Sequence, residues 1–136
     1  MKFELFIYRN ADKVLREKEL YLEIKSILGK ITVVDQAEIQ KEFKKRSWLV
    51  EKRIFPLASW AWDAYKDDVA VSVELNSADA MHRDFLRAML AHKQGHLDVL
   101  VCVASIFREP KFQNVKKDIE LFGKILNFPI LLIGFC

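Results

Sequence analysis

From Val69 onward the chain alternates with a period of two. Val69, Val71, Val73 and Leu75 fall on one face, while Ala70, Ser72, Glu74 and Asn76 fall on the other. That is the pattern of a half-buried β-strand. A carboxylate in mid-strand is costly to bury unless it is paired or bound to an ion. Glu74 stands there, and Asp63 lies eleven positions upstream, just before the turn-like Lys66-Asp67-Asp68. A hairpin of residues 60–65 and 69–76 brings Asp63 and Glu74 onto one face. Two carboxylates converging on a sheet make a divalent-cation site.

The rest of the chain frames that hairpin. Its 136 residues, 51% of them apolar, suffice for one domain with a substantial core, expected over 1–136. Four Gly and three Pro leave little room for linkers. The first ten residues, MKFELFIYRN, are charged too early for a leader peptide, and the apolar run 128–135 is too short to span a bilayer. Two cysteines give no disulfide framework, so the expected compartment is the cytoplasm. A net charge of +3 permits a polyanionic partner without demanding one.

Helical periodicity places helices at about 11–28, 36–46, 78–93 and from Asn114 onward, with Asp35 and Ser77 as N-caps and Gly29 and Gly95 as stops. Residues 31–34 are a short β-prone run. Strands are expected at 48–55, 60–65, 69–76, 97–105 and 128–135, the last two apolar enough to be covered on both faces. The order α-α-β-β-β-α-β-α-β gives an α/β fold, in which an antiparallel meander leads by a crossover helix into buried strands.

Three segments, WDAYKDDVAVSVELN, HRDFLRAMLAHKQGHLDVLVCV and FPILLIGF, together with EIKSIL near the start, resemble the core of BglII-type restriction endonucleases, within the PD-(D/E)xK nuclease superfamily. The resemblance implies a restriction-endonuclease-like mixed sheet flanked by helices. It also implies a DNA endonuclease dependent on Mg²⁺, with Mn²⁺ as a substitute, and no organic cofactor or membrane. Asp63 matches the first acid of the family's motif. The next strand then presents a Glu and, two residues on, a Glu, Gln or Lys. One register puts Ser72 in the place of that Glu and Glu74 at the second position. The other makes Glu74 the Glu and Asn76 the second group. The first register is preferred on segment resemblance. Under it the chain is weakened or inactivated at Ser72, was altered there to stop cleavage, or uses Glu74 as the missing ligand. A catalytically silent DNA-binding or assembly module is the alternative.

Other residues carry plainer readings beside functional ones. Asp63 is otherwise a turn acid beside Lys66, and Glu74 an acid on a solvated face. Lys66, Arg83 and Arg87 are candidate phosphate contacts, against a solvated turn for Lys66 and pairing with Asp79 and Asp84 for the arginines. Lys41, Lys44, Lys45, Arg46, Lys52 and Arg53 form the densest basic region, with Trp48 inside it and Phe55 after it, a candidate surface for the DNA backbone. Glu42 is a helical polar group within possible reach of the site, though an ion pair with Arg46 suits its spacing better. His92 and His96 lack the spacing of a zinc site. Cutting both strands of DNA calls for two sites, hence a homodimer, with the first or third helix as its face.

Overall fold

The computed structural model describes residues 2–53, 61–75, 78–108 and 111–135. The elements, in chain order, are β1 (Phe3–Tyr8), α1 (Ala11–Glu17), α2 (Tyr21–Gly29), α3 (Gln36–Lys45), β2 (Leu49–Arg53), β3 (Ala61–Lys66), β4 (Val69–Val73), α4 (Ala78–Lys93), β5 (Val99–Ser105), α5 (Phe112–Leu121) and β6 (Ile130–Phe135). All six strands join one sheet in the order β1-β6-β5-β4-β3-β2. Strands β2, β3 and β4 form the expected antiparallel meander. From β4 the chain crosses through α4 to the parallel strand β5, and through α5 to the parallel strand β6. No described helix is long and apolar enough to cross a membrane.

Strand alternation divides the interior in two. Val69, Val71 and Val73 of β4 pack with Val101 and Ile133 against Leu15, Ile24, Leu28, Ile39 and Phe43 of α1–α3. Ala70, Leu100, Cys102 and Leu132 face Met81, Phe85 and Ala88 of α4 and Val115 and Ile119 of α5. β4 is therefore buried along its whole length and on both sides, rather than half-buried as its alternation implied. At the far end of the sheet Gly134 gives way to the Phe112 ring. A Cβ there would lie 2.7 Å from that ring.

Three local features depart from the expectations. β1 is an additional strand, pairing antiparallel with β6 at the sheet edge. The helix expected over 11–28 is two helices, broken where Glu19 takes the left-handed φ of 60°. The β-prone 31–34 forms no strand, although Ile31 is buried. Asp35 takes the N-cap position of α3 with extended backbone, but its carboxylate makes no capping hydrogen bond. Ser77, Asn76 and residues 54–60 lie outside the described residues.

The β3–β4 turn is short because Asp67 and Asp68 both adopt positive φ, 51° and 59°. Two left-handed residues make the tight hairpin connection that matches strand twist, and Asp tolerates that conformation. The turn fixes the register Lys66↔Val69, Tyr65↔Ala70 and Ala64↔Val71. That register decides where Asp63 can point.

Candidate active site

Strand pairing between β3 and β4 stops at Ala64↔Val71. Beyond it the two strands part, which would leave the Val73 N–H without a backbone acceptor. Asp63 Oδ2 accepts that N–H at 2.6 Å. The strand turns over at the same point. Trp62 packs on the α4 side of the sheet, whereas Ala64, two residues on, packs on the α1–α3 side. On the neighbouring strand Glu51, opposite Asp63 in the register, has a φ of 53°. Asp63 thus sits in the fork of two diverging strands. Its second oxygen, Oδ1, accepts hydrogen bonds from Gln36 Nε2 at 2.5 Å and Gln40 Nε2 at 2.9 Å. Gln36 and Gln40 stand one turn apart on α3, so both amides reach one carboxylate.

Glu74 follows β4 directly, and its N–H continues the ladder to Val103 O at 3.0 Å. It lines a cleft with Val34, Asp35, Gln36, Val73, Leu75 and Arg108. This cleft opens at the carboxyl ends of β4 and β5, where ligands commonly enter parallel sheets. Two residues earlier on the strand, Ser72 is only 2% exposed. Its hydroxyl donates to Oδ2 of Asp84, a residue of α4 that is itself 4% exposed.

Asp63, Glu74 and Asp84 act on one another. Burial raises all three carboxyls above the usual range. For Asp63, three hydrogen bonds to the charged form oppose that rise. Glu74 is pushed up to about 8, first by burial, then by the charge of Asp84 and a hydrogen bond with it, and then by the charge of Asp63. The same bond lowers Asp84. Glu74 therefore keeps the proton and donates it toward Asp84. Among the described residues, positive charge near these acids is sparse. Arg83 offsets Glu74 weakly, and Arg87 Nη1 lies 3.8 Å from Asp84 Oδ1.

Among the described residues, no three acidic, histidine or cysteine side chains already converge on a single point that could hold an ion. The donor chemistry nevertheless fits a hard divalent cation. Three acids act on one another and, among the described residues, are short of countercharge, the condition that such a cation relieves.

The remaining sequence candidates divide as follows. Asn76 lies outside the described residues, so the register pairing it with Glu74 finds no geometry here. Lys66 is held in the structure by Glu23 at 3.2 Å and by the Arg46 carbonyl at 3.1 Å. Glu42 does not reach the site and does not pair with Arg46. It pairs with Lys45 at 2.8 Å, and Arg46 donates to Ser26 Oγ. Lys44 and Lys45 are exposed, and Arg83 is exposed on α4. Gln36 and Gln40 bond Asp63, Asp84 bonds Ser72, and Arg108 lines the cleft; the sequence reading selected none of the four for the site.

A mixed sheet with acids in the fork of a meander, flanked by helices on both faces, defines a restriction-endonuclease-like protein. Residues 3–135 match the family described as Restriction endonuclease BglII/BglIII, and the chain belongs to that family. Comparison with curated protein sequences yields no match. Among solved structures, restriction endonuclease BglII complexed with a DNA 16-mer superposes with a TM-score of 0.89 at 17% identity, covering 100% of this chain and 78% of that one. The fold and the order of elements are those of that endonuclease.

Proposed function

We propose that this protein, acting as a single domain over 1–136, hydrolyses DNA phosphodiester bonds with Asp63 and Glu74 holding Mg²⁺ or Mn²⁺. The observation that carries the reading is the fork at Asp63, which gathers acids from two strands beside a polar cleft. A bound divalent cation would neutralise the phosphate and lower the pKa of water at the site. The chain's own residues supply the rest. Gln36, Gln40 and the Val73 N–H orient Asp63 and favour its charged form against the burial that raises it. Glu74 holds a proton until the site is loaded and then binds the ion or orients the attacking water. Water adds at phosphorus, and one P–O bond to the sugar breaks. Arg108, which lines the cleft, is a proposed contact to the phosphate.

Lys44, Lys45 and Arg46 at the end of α3, with Arg83 and Arg87 on α4, are the proposed contacts to the DNA backbone. Lys66 joins them only by releasing Glu23. A homodimer supplies the second site needed for the second strand. Its proposed face is on α4, the third helix of the sequence reading. There Leu86 is 66% exposed beside Phe122 and Ile125, 42% and 54% exposed. With Met89 they line one apolar groove, the kind of surface a partner covers. The low cysteine content keeps the cytoplasm as the proposed compartment.

Supercoiled plasmid incubated with the protein and Mg²⁺ or Mn²⁺ is expected to be nicked or linearised, and a chelator should stop the reaction. Filter retention of DNA that weakens with salt, without any cutting, would instead mark a silent DNA-binding module. No cutting together with a flat salt titration would refute the nucleic-acid reading.

A further inference from the structure

Ser72 and Asp84 form a pair that the two-strand site does not explain. Asp84 lies in the apolar stripe of α4, among Met81, Phe85 and Ala88, and is almost wholly buried. A buried carboxylate costs several kcal/mol unless it is compensated. Among the described residues the compensation is the Ser72 hydroxyl, the Glu74 carboxyl and the Arg87 guanidinium at 3.8 Å. All of it lies toward the fork of β3 and β4 or on the same helix. In the register preferred on segment resemblance, Ser72 stands where the family's strand motif has glutamate. Its short side chain stops at the hydroxyl, and the Asp84 carboxylate begins where that hydroxyl ends. Serine on the strand and aspartate on the helix together end in a carboxylate, the group in which a strand glutamate ends.

Resting on the nuclease reading above, we infer that Asp84 is the third acidic ligand of the divalent-cation site. It is delivered by α4 into the place of the strand glutamate, with Ser72 as its positioning partner. The acid is not missing from this chain; it has moved to another element. The change Ser72→Glu alone therefore does not complete the site. It drives a further carboxylate against Asp84 in a buried space, and both metal affinity and stability fall.

Calorimetric titration with Mn²⁺ alone, without DNA, tests this. The isosteric Asp84→Asn keeps the contact with Ser72, and its melting curve verifies folding. The expected result is an affinity at least about tenfold below the parent's. Ser72→Glu combined with Asp84→Ser returns the carboxylate to the strand and should bring affinity back to within a few-fold of the parent. If Asp84→Asn binds Mn²⁺ as tightly as the parent while Asp63→Asn does not, Asp84 is no ligand and only this inference falls. A double variant that folds but binds no better than Asp84→Asn also overturns it. A parent that takes up no Mn²⁺ removes this inference and the nuclease reading together.

Discussion

Asp63→Asn should abolish metal-dependent cleavage while leaving a folded protein. Asparagine still offers one carbonyl oxygen, either to the Val73 N–H or to the glutamines of α3. The fork should therefore survive with a loss of about 1–3 kcal/mol from unmet hydrogen bonds. The negative charge, which the cation requires, is gone. Removing one preorganised electrostatic contact at a reacting centre costs roughly a hundred- to a thousandfold in rate. Glu74→Gln should cost cleavage by the same mechanism, although its destabilisation is smaller. Glu74 already carries a proton in the cation-free protein, so the amide replaces a neutral group. Plasmid cleavage beside thermal melts reads both effects. Variants that melt like the parent and cut like it would show that these acids are not the site.

Without metal, stability should fall as pH rises from about 4.5 to about 8, and Mg²⁺ should reverse most of the fall. Glu74 moves from an ordinary 4.5 to about 8 on folding, and Asp63 and Asp84 move in the same direction. Between those limits the folded chain binds more protons than the unfolded one, so the slope of unfolding free energy with pH is negative. The stability that comes with the protonated acids is present at the acid end and lost on crossing the folded pKa. Glu74 is only part-buried, so solvent screens some of this difference. Each kcal/mol that survives moves the melting temperature by roughly 3–6 °C. Magnesium binds the charged acids of the folded state alone and should raise the melting temperature most at pH 8. Melting temperatures that are flat from pH 5 to 8.5, with and without Mg²⁺, would contradict the crowding of these three carboxyls.

Much of the architecture could be read from periodicity. The valines of β4 have one partner layer and its small or polar residues another, and that contrast is what alternation records. The reading erred on exposure, because Ser72 and Glu74 looked like a solvent face and α4 covers them. The break at Glu19 was invisible, since the apolar stripe continues in phase on both sides of it. β1 went unread because the first residues were weighed only as a leader, while an edge strand pairs on one side and shows weak alternation.

The proposed site was legible in its strand acids and not in its helical groups. Asp63 and Glu74 follow from strand spacing. Gln36 and Gln40 stand at i and i+4, which was a usable signal; the helical polar group considered from the resemblance was Glu42 instead. Asp84 carried the clearer mark. It falls in step with Met81, Phe85 and Ala88 on the buried stripe, where an acid has no structural reason to be. The pairing expected from its charged neighbours is found with Arg87 at 3.8 Å, but on the buried side of the helix.

The most direct test of the account is a crystal of the protein soaked in Mn²⁺ and measured at the manganese absorption edge. The account predicts an anomalous peak in the fork of β3 and β4, within coordinating distance of the Asp63 and Glu74 carboxylates. A fully occupied manganese elsewhere, with those two carboxylates unliganded, would contradict it.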